Sequence, residues 1–155
     1  MVKYENGNIL STETDIICQQ VNCQGVMGSG LAKEIRMWFP GCYEGYRMFC
    51  KGKNPNDLLG KVCWVSEKIV NADIKYTFAN IFGQLNYGRG NVRYTSYDAL
   101  ESGLKEVYKF AKENNLSVSI PHGIGCGLGG GDWNVVHEMI EKIFSDDVIC
   151  EIWKI

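Results

Sequence analysis

Two spacings of apolar residues take turns along this chain, short runs typical of strands and stripes three and four residues apart typical of helices. Residues 15–21 read as a strand that is apolar on both faces at its start. The chain then enters a glycine-rich loop over 22–30, and a helix follows from near Ser29 with Leu31, Ala32, Ile35 and Trp38 on one face, stopped by Pro40. Tyr43, Tyr46 and Phe49 or Cys50 predict a second helix over 42–51. Strands are expected over 61–66 and 74–82, and a polar loop with aromatics over 83–93. Thr95 or Ser96 can cap the next helix, with Asp98 favourable in its first turn. Its stripe is Tyr97, Leu100, Leu104, Val107, Tyr108 and Ala111, and Asn114 and Asn115 form a stop. A short strand over 117–121 leads into a second glycine-rich loop over 122–131. Asp132 then suits the N-cap of a helix carrying Val135, Val136, Met139, Ile140, Ile143 and Phe144, and 148–153 closes as a strand. Strands alternating with helices over 155 residues predict one domain, an α/β sandwich on a mostly parallel sheet.

The glycine loops are where chemistry is expected. Each joins the end of a strand to the start of a helix, where successive backbone N–H groups and the helix dipole make an anion site. Two of them side by side can hold two phosphates, as in a pyrophosphate. Tight turns alone would also use glycine, and that reading stands for either loop taken singly. No G-x-x-x-x-G-K-[ST] phosphate loop occurs. The run from Gly125 to Gly130 fits G-x-G-x-x-G, but the residues after it are too few for the rest of a dinucleotide fold.

Composition narrows the classes further. Sixteen basic and eighteen acidic residues leave a net charge of −2, which argues against a protein that binds nucleic acid by bulk charge. No run reaches the roughly 18 apolar residues of a membrane helix, and the first residues carry no secretory apolar stretch. Seven cysteines without C-x-x-C, and only two histidines, provide no four-ligand zinc set, so no metal is expected. Reduced, mostly buried thiols in a cytoplasmic protein are expected instead.

Four stretches together resemble a macro domain: Gly7-Asn8-Ile9, residues 17–22, Met27-Gly28-Ser29-Gly30-Leu31-Ala32, and Ile120-Pro121 with Ile124-Gly125-Cys126-Gly127-Leu128. The resemblance spans nearly the whole chain. It is nearest the branch that holds terminal ADP-ribose glycohydrolases, DNA ADP-ribosyl glycohydrolase antitoxins and ADP-ribose-1''-phosphate phosphatases. It implies a three-layer α/β/α sandwich with a mixed, mostly parallel sheet of about six strands, and ADP-ribose in a cleft across the strand ends. Asn8, followed by Ile9, stands where the family has an Asp that accepts from the adenine amino group; an amide can still accept there, and Asn8 is equally a turn residue. Asn22, next to Val21, matches the Asn that approaches the distal ribose. Gly28, Ser29, Gly30 and Leu31 match the loop beside that ribose and the pyrophosphate. Ile124, Gly125, Cys126, Gly127, Leu128, Gly129 and Gly130 match the loop whose amides hold the phosphates. No cofactor is implied beyond this ligand, carried free or on a small molecule, protein or nucleic acid.

The reaction is less legible. The glycohydrolases of this branch use a lysine in the loop after the central strand, and here the region 81–94 holds Arg89 and Arg93 but no lysine. Arginine stays protonated and cannot act as a Schiff-base nucleophile. The aspartate that the terminal glycohydrolase carries in its second loop is Gly129 here. Asp132 remains as a general base for water, if it is not simply the helix cap, and His122 as a phosphate donor or general acid. Cys126 sits where free amides and a helix start lower a thiol pKa, yet no base adjoins it and no covalent role is assigned. Gln20, Gln24 and Gln84 are possible ribose or water contacts, and the glycines of 86–93 suit a lid. The reading is a hydrolase of ADP-ribose-1''-phosphate or of an ADP-ribosyl linkage; the alternative is a non-catalytic reader of ADP-ribosylated targets.

Overall fold

A computed structural model of the chain describes residues 1–69 and 74–155. Its strands are β1 (Val2–Asn6), β2 (Ile16–Asn22), β3 (Val62–Ile69), β4 (Ile74–Gln84), β5 (Val118–Pro121) and β6 (Cys150–Lys154). Its helices are α1 (Gly30–Trp38), α2 (Pro40–Cys50), the single turn α3 (Pro55–Leu58), α4 (Tyr97–Asn114) and α5 (Trp133–Ile143). The strands lie in the order β1-β6-β5-β2-β4-β3, all parallel except β3, which runs antiparallel to β4 at one edge. The sheet is thus mixed and mostly parallel, as the strand–helix alternation and the family resemblance require.

Alternation along β2 separates the two faces. Ile16 and Cys18 pack with Leu100, Leu104 and Val107 of α4 and Val136 and Ile140 of α5. Ile17 packs with Ile35 and Phe39, and Val21 with Tyr46, on the α1 and α2 side. Both faces are buried, giving the three layers. No helix among the described residues is long and apolar enough to cross a membrane.

Ser96 rather than Thr95 caps α4, its side chain accepting from the amide of Ala99, and Asn115 ends the helix in the left-handed conformation. Pro40 both stops α1 and opens α2 at its first position, where its missing N–H costs nothing. Trp38 does not share the buried face of α1: it is 68% exposed, and Phe39, just beyond the helix, fills the core instead. β1 was not anticipated, because an edge strand with only Val2 half-buried shows no apolar alternation.

Candidate functional site

β2 and β5 are parallel neighbours, so the loops that follow them leave the same edge of the sheet side by side. β2 leads to α1 on one face and β5 leads to α5 on the other. A crevice opens at such a divergence, beyond the carboxyl ends of the strands. Here it is a cleft of about 650 Å³ with walls from both glycine loops, a floor from Gln19, Gln20 and Val21, and a rim of Gln84, Tyr87, Gly88 and Arg89. A second compartment of about 510 Å³ joins it, lined by Asn8, Ile9, Trp153 and Lys154. Gly30, Leu31, Pro121 and His122 line both and form the passage between them. Each volume suits an organic ligand of moderate size.

Asn22 organises the first loop. Its Oδ1 accepts from the amides of Gln24 at 3.0 Å and Val26 at 3.3 Å, and its Nδ2 donates to Val26 O at 2.8 Å. The buried Tyr46 hydroxyl donates to Asn22 O at 2.5 Å and lies 3.1 Å from its Oδ1. The loop then delivers the chain to α1 through Gly30, whose φ of +59° favours glycine. Ser29 makes no side-chain cap. By contrast, Asn54, Ser96 and Asp132 cap α3, α4 and α5, and Glu67 accepts from the first amides of α2. Among the described residues the first amides of α1, those of Gly30, Leu31 and Ala32, meet no protein acceptor, and all three residues line the cleft, where an anion would be favoured.

The second loop turns through Gly125 at φ +74°. Gly125 O accepts from Thr95 Oγ1 at 2.7 Å and from the amide of Gly131 at 2.9 Å. Gly129 O accepts from the amides of Tyr94 and Thr95. Among the described residues the amides of Gly127, Leu128 and Gly129 meet no protein acceptor, and all three residues line the cleft.

Most of the expected site residues come together. Val21, Asn22, Gly28, Ser29, Gly30, Leu31, Ile124, Gly125, Gly127, Leu128 and Gly129 line the larger compartment, and Asn8 and Ile9 the smaller. Asn8 Oδ1 accepts from the amide of Leu10, so it is a turn residue as well as a wall residue. Cys126 and Gly130 are in neither wall, because their amides turn inward to Gly123 O and Gly127 O. Asp132 also lies outside both walls: its Oδ1 accepts from the amide of Asn134 at 2.9 Å, which caps α5. Cys126 reverses its expectation, since burial first, and then the Asp132 carboxylate, push its thiol up to about 11.

Among the described residues no carboxylate and no lysine lines the larger compartment; Arg89 and His122 are its basic groups. His122 packs against Trp133 with ring centroids 4.5 Å apart. Burial, and then Lys154 and His137, hold its imidazole below the ordinary histidine value. Gln19, Trp153, Lys154 and the loop-holding Tyr46 were not anticipated. Gln19 and Gln20 carried a signal, two adjacent polar residues between the apolar Cys18 and Val21 of β2.

No protein-family model matches the chain. It is 28% identical over 153 residues to a DNA ADP-ribosyl glycohydrolase of Mycobacterium tuberculosis, a match that covers 94% of this chain and 39% of that protein. It therefore spans about two fifths of the length of that relative. It is also 28% identical over 166 residues to an ADP-ribose 1''-phosphate phosphatase of Scheffersomyces stipitis, covering 92% of this chain and 94% of the other. Among solved structures, the macrodomain of Mycobacterium tuberculosis DarG superposes with a TM-score of 0.81 at 25% identity, over 100% of this chain and 98% of that one. The fold is that of a macrodomain. Within that class, the chain is a relative of proteins named as DNA ADP-ribosyl glycohydrolases and as ADP-ribose 1''-phosphate phosphatases.

Proposed function

We propose that the cleft binds the ADP-ribose group, free or attached to another molecule, and that the chain hydrolyses ADP-ribose-1''-phosphate or an ADP-ribosyl linkage. One observation carries the reading: two glycine loops with unused amides line one cleft, without a carboxylate among its described lining residues. Backbone dipoles then meet a diphosphate, and the net charge of −2 is no obstacle. The adenosine end takes the compartment of Asn8 and Ile9, where the Asn8 amide retains donors and a lone pair for the base edge. The diphosphate lies between the loops beside His122. The distal ribose takes the far end, near Asn22, Gln84 and Arg89. The names of the relatives support the same ligand.

In the proposed reaction water attacks the anomeric carbon or the phosphorus and releases a proton to solvent, the bond to the leaving group breaks, and the leaving atom takes up a proton from solvent. His122, in the passage beside the diphosphate, is the proposed hydrogen-bond donor to its phosphate oxygens rather than the acid at the distal ribose, and the neighbouring diphosphate favours its charged form. Asp132 acts through the α5 cap rather than as a base. A second reading, recognition without turnover, is favoured by the same lack of a lysine or carboxylate in the larger compartment. Seven free thiols suit a reducing, cytoplasmic setting.

Calorimetry with ADP-ribose, ADP and NAD tests the ligand: ADP-ribose is expected to bind most tightly, and NAD binding as tightly or more so would overturn the reading. Incubation with ADP-ribose-1''-phosphate and with ADP-ribosylated DNA or protein separates hydrolase from reader. Release of phosphate or of free ADP-ribose supports the first, and tight binding without release the second.

A further inference from the structure

Beneath the second glycine loop the polar side chains form a directed chain. Gln84 Nε2 donates to Asn86 O at 2.8 Å, which leaves its Oε1 to accept from Gln20 Nε2, also at 2.8 Å. The same Gln20 amide donates to Thr95 Oγ1 at 2.8 Å, and Thr95 gives its one hydroxyl proton to Gly125 O at 2.7 Å. Neighbours at both ends thus dictate which way the Gln20 amide faces. The arrangement has a cost, because Gln20 Oε1 is left buried without a partner among the described residues. It also has a condition: a Cβ on residue 83 would stand 2.2 Å from Gln20 Oε1 and 2.6 Å from its Cδ, so Gly83 leaves the space that the side chain fills. The backbone of Tyr94 and Thr95 grips Gly129 O in turn. Both carbonyls that flank the unused amides of Gly127 and Leu128 are therefore held by one short segment.

A buried amide that forfeits its own acceptor is a poor choice for stability alone. We infer that Gln20 and Thr95 are positioning residues for diphosphate binding, which clamp Gly125 and Gly129 so that the amides of Gly127, Leu128 and Gly129 converge on one anion. The inference rests on the diphosphate reading above and adds the residues that shape it. Gly83 belongs to the device because it admits Gln20, and the loop over 83–93 is tied to the phosphate loop through the bridge between Gln84 and Thr95.

The test compares ADP with AMP, which differ by the phosphate the clamped amides would meet. ADP, AMP and ADP-ribose are titrated calorimetrically into the wild type, Thr95→Val, Thr95→Ser, Gly83→Ala and Gln20→Met, with a melting curve for each. Thr95→Val keeps the shape and loses the hydroxyl; Gly83→Ala displaces Gln20 without altering Thr95. Both should weaken ADP and ADP-ribose about tenfold, the scale of one hydrogen bond to a charged group. AMP should stay within about twofold, and Thr95→Ser should return ADP to within about threefold of wild type. A merely structural role would lower the melting temperature and leave the ADP-to-AMP ratio level. That outcome, with wild type binding both nucleotides, overturns the inference alone. A wild type that binds neither ADP nor ADP-ribose overturns the functional reading and the inference with it. If Thr95→Val does not fold, Gly83→Ala and Gln20→Met carry the same comparison.

Discussion

Replacing Asn22 by alanine asks what holds the first glycine loop in shape. The side chain makes three hydrogen bonds to the loop backbone, to Gln24 N, Val26 N and Val26 O, and a fourth contact with the Tyr46 hydroxyl. The residue is 7% exposed, so water does not simply replace them. At roughly 1 kcal/mol net for each backbone bond, Asn22→Ala should cost about 2–4 kcal/mol. In a chain of 155 residues that lowers the melting temperature by roughly 6–12 °C. Tyr46→Phe, which leaves Asn22 O without its 2.5 Å donor, should cost about 1–3 kcal/mol by the same reasoning. Urea denaturation followed by circular dichroism measures both, and calorimetry with ADP-ribose on the folded fraction measures the site. An Asn22→Ala protein that melts like wild type but has lost ADP-ribose binding would refute this account: Asn22 would then be a ligand contact and not the loop's internal brace.

Three further outcomes are expected. Asp132→Ala should lose about 1 kcal/mol with the α5 cap, read by urea titration, while turnover stays near wild type; a folded variant with turnover down a hundredfold would return Asp132 to the role of base. His122, held low by burial and by Lys154 and His137, should titrate below 6.5 in the free protein by NMR and move upward when ADP-ribose binds. With its folded value depressed, its contribution to stability is present above pH 6.5 and declines as pH falls; no movement on adding ligand would remove His122 from the diphosphate. The thiols work in the opposite sense. Burial raises Cys23, Cys63 and Cys126 to about 11 from 9.0, so their contribution is full below pH 9 and is lost as pH rises towards 11. Alkaline unfolding monitored by fluorescence should show that decline, and a flat stability profile from pH 9 to 11 would contradict it.

Local sequence determined the elements whose signals are local. The stripe from Leu100 to Ala111 could bury only as a helix, Ser96 and Asp132 stand where helix amides need partners, and Pro40 cannot continue α1. The two glycine loops were legible because a strand-to-helix turn that presents amides needs residues without side chains in the way. Tertiary structure decided the rest. Nothing local says that β2 and β5 are neighbours, and only that pairing sets the loops of 22–30 and 122–131 across one cleft. Nor does spacing tell Asp132 or Cys126 whether they face a ligand; the turn of the second loop points the first at the α5 amides and leaves the second half-buried outside the cleft walls. Gln20, Gly83, Thr95 and Gly125 lie far apart in the chain, and their hydrogen bonds exist only because the ends of β2 and β4 meet under the phosphate loop. Apolar periodicity reports which side of an element leaves water, whereas a site depends on which elements the fold makes adjacent.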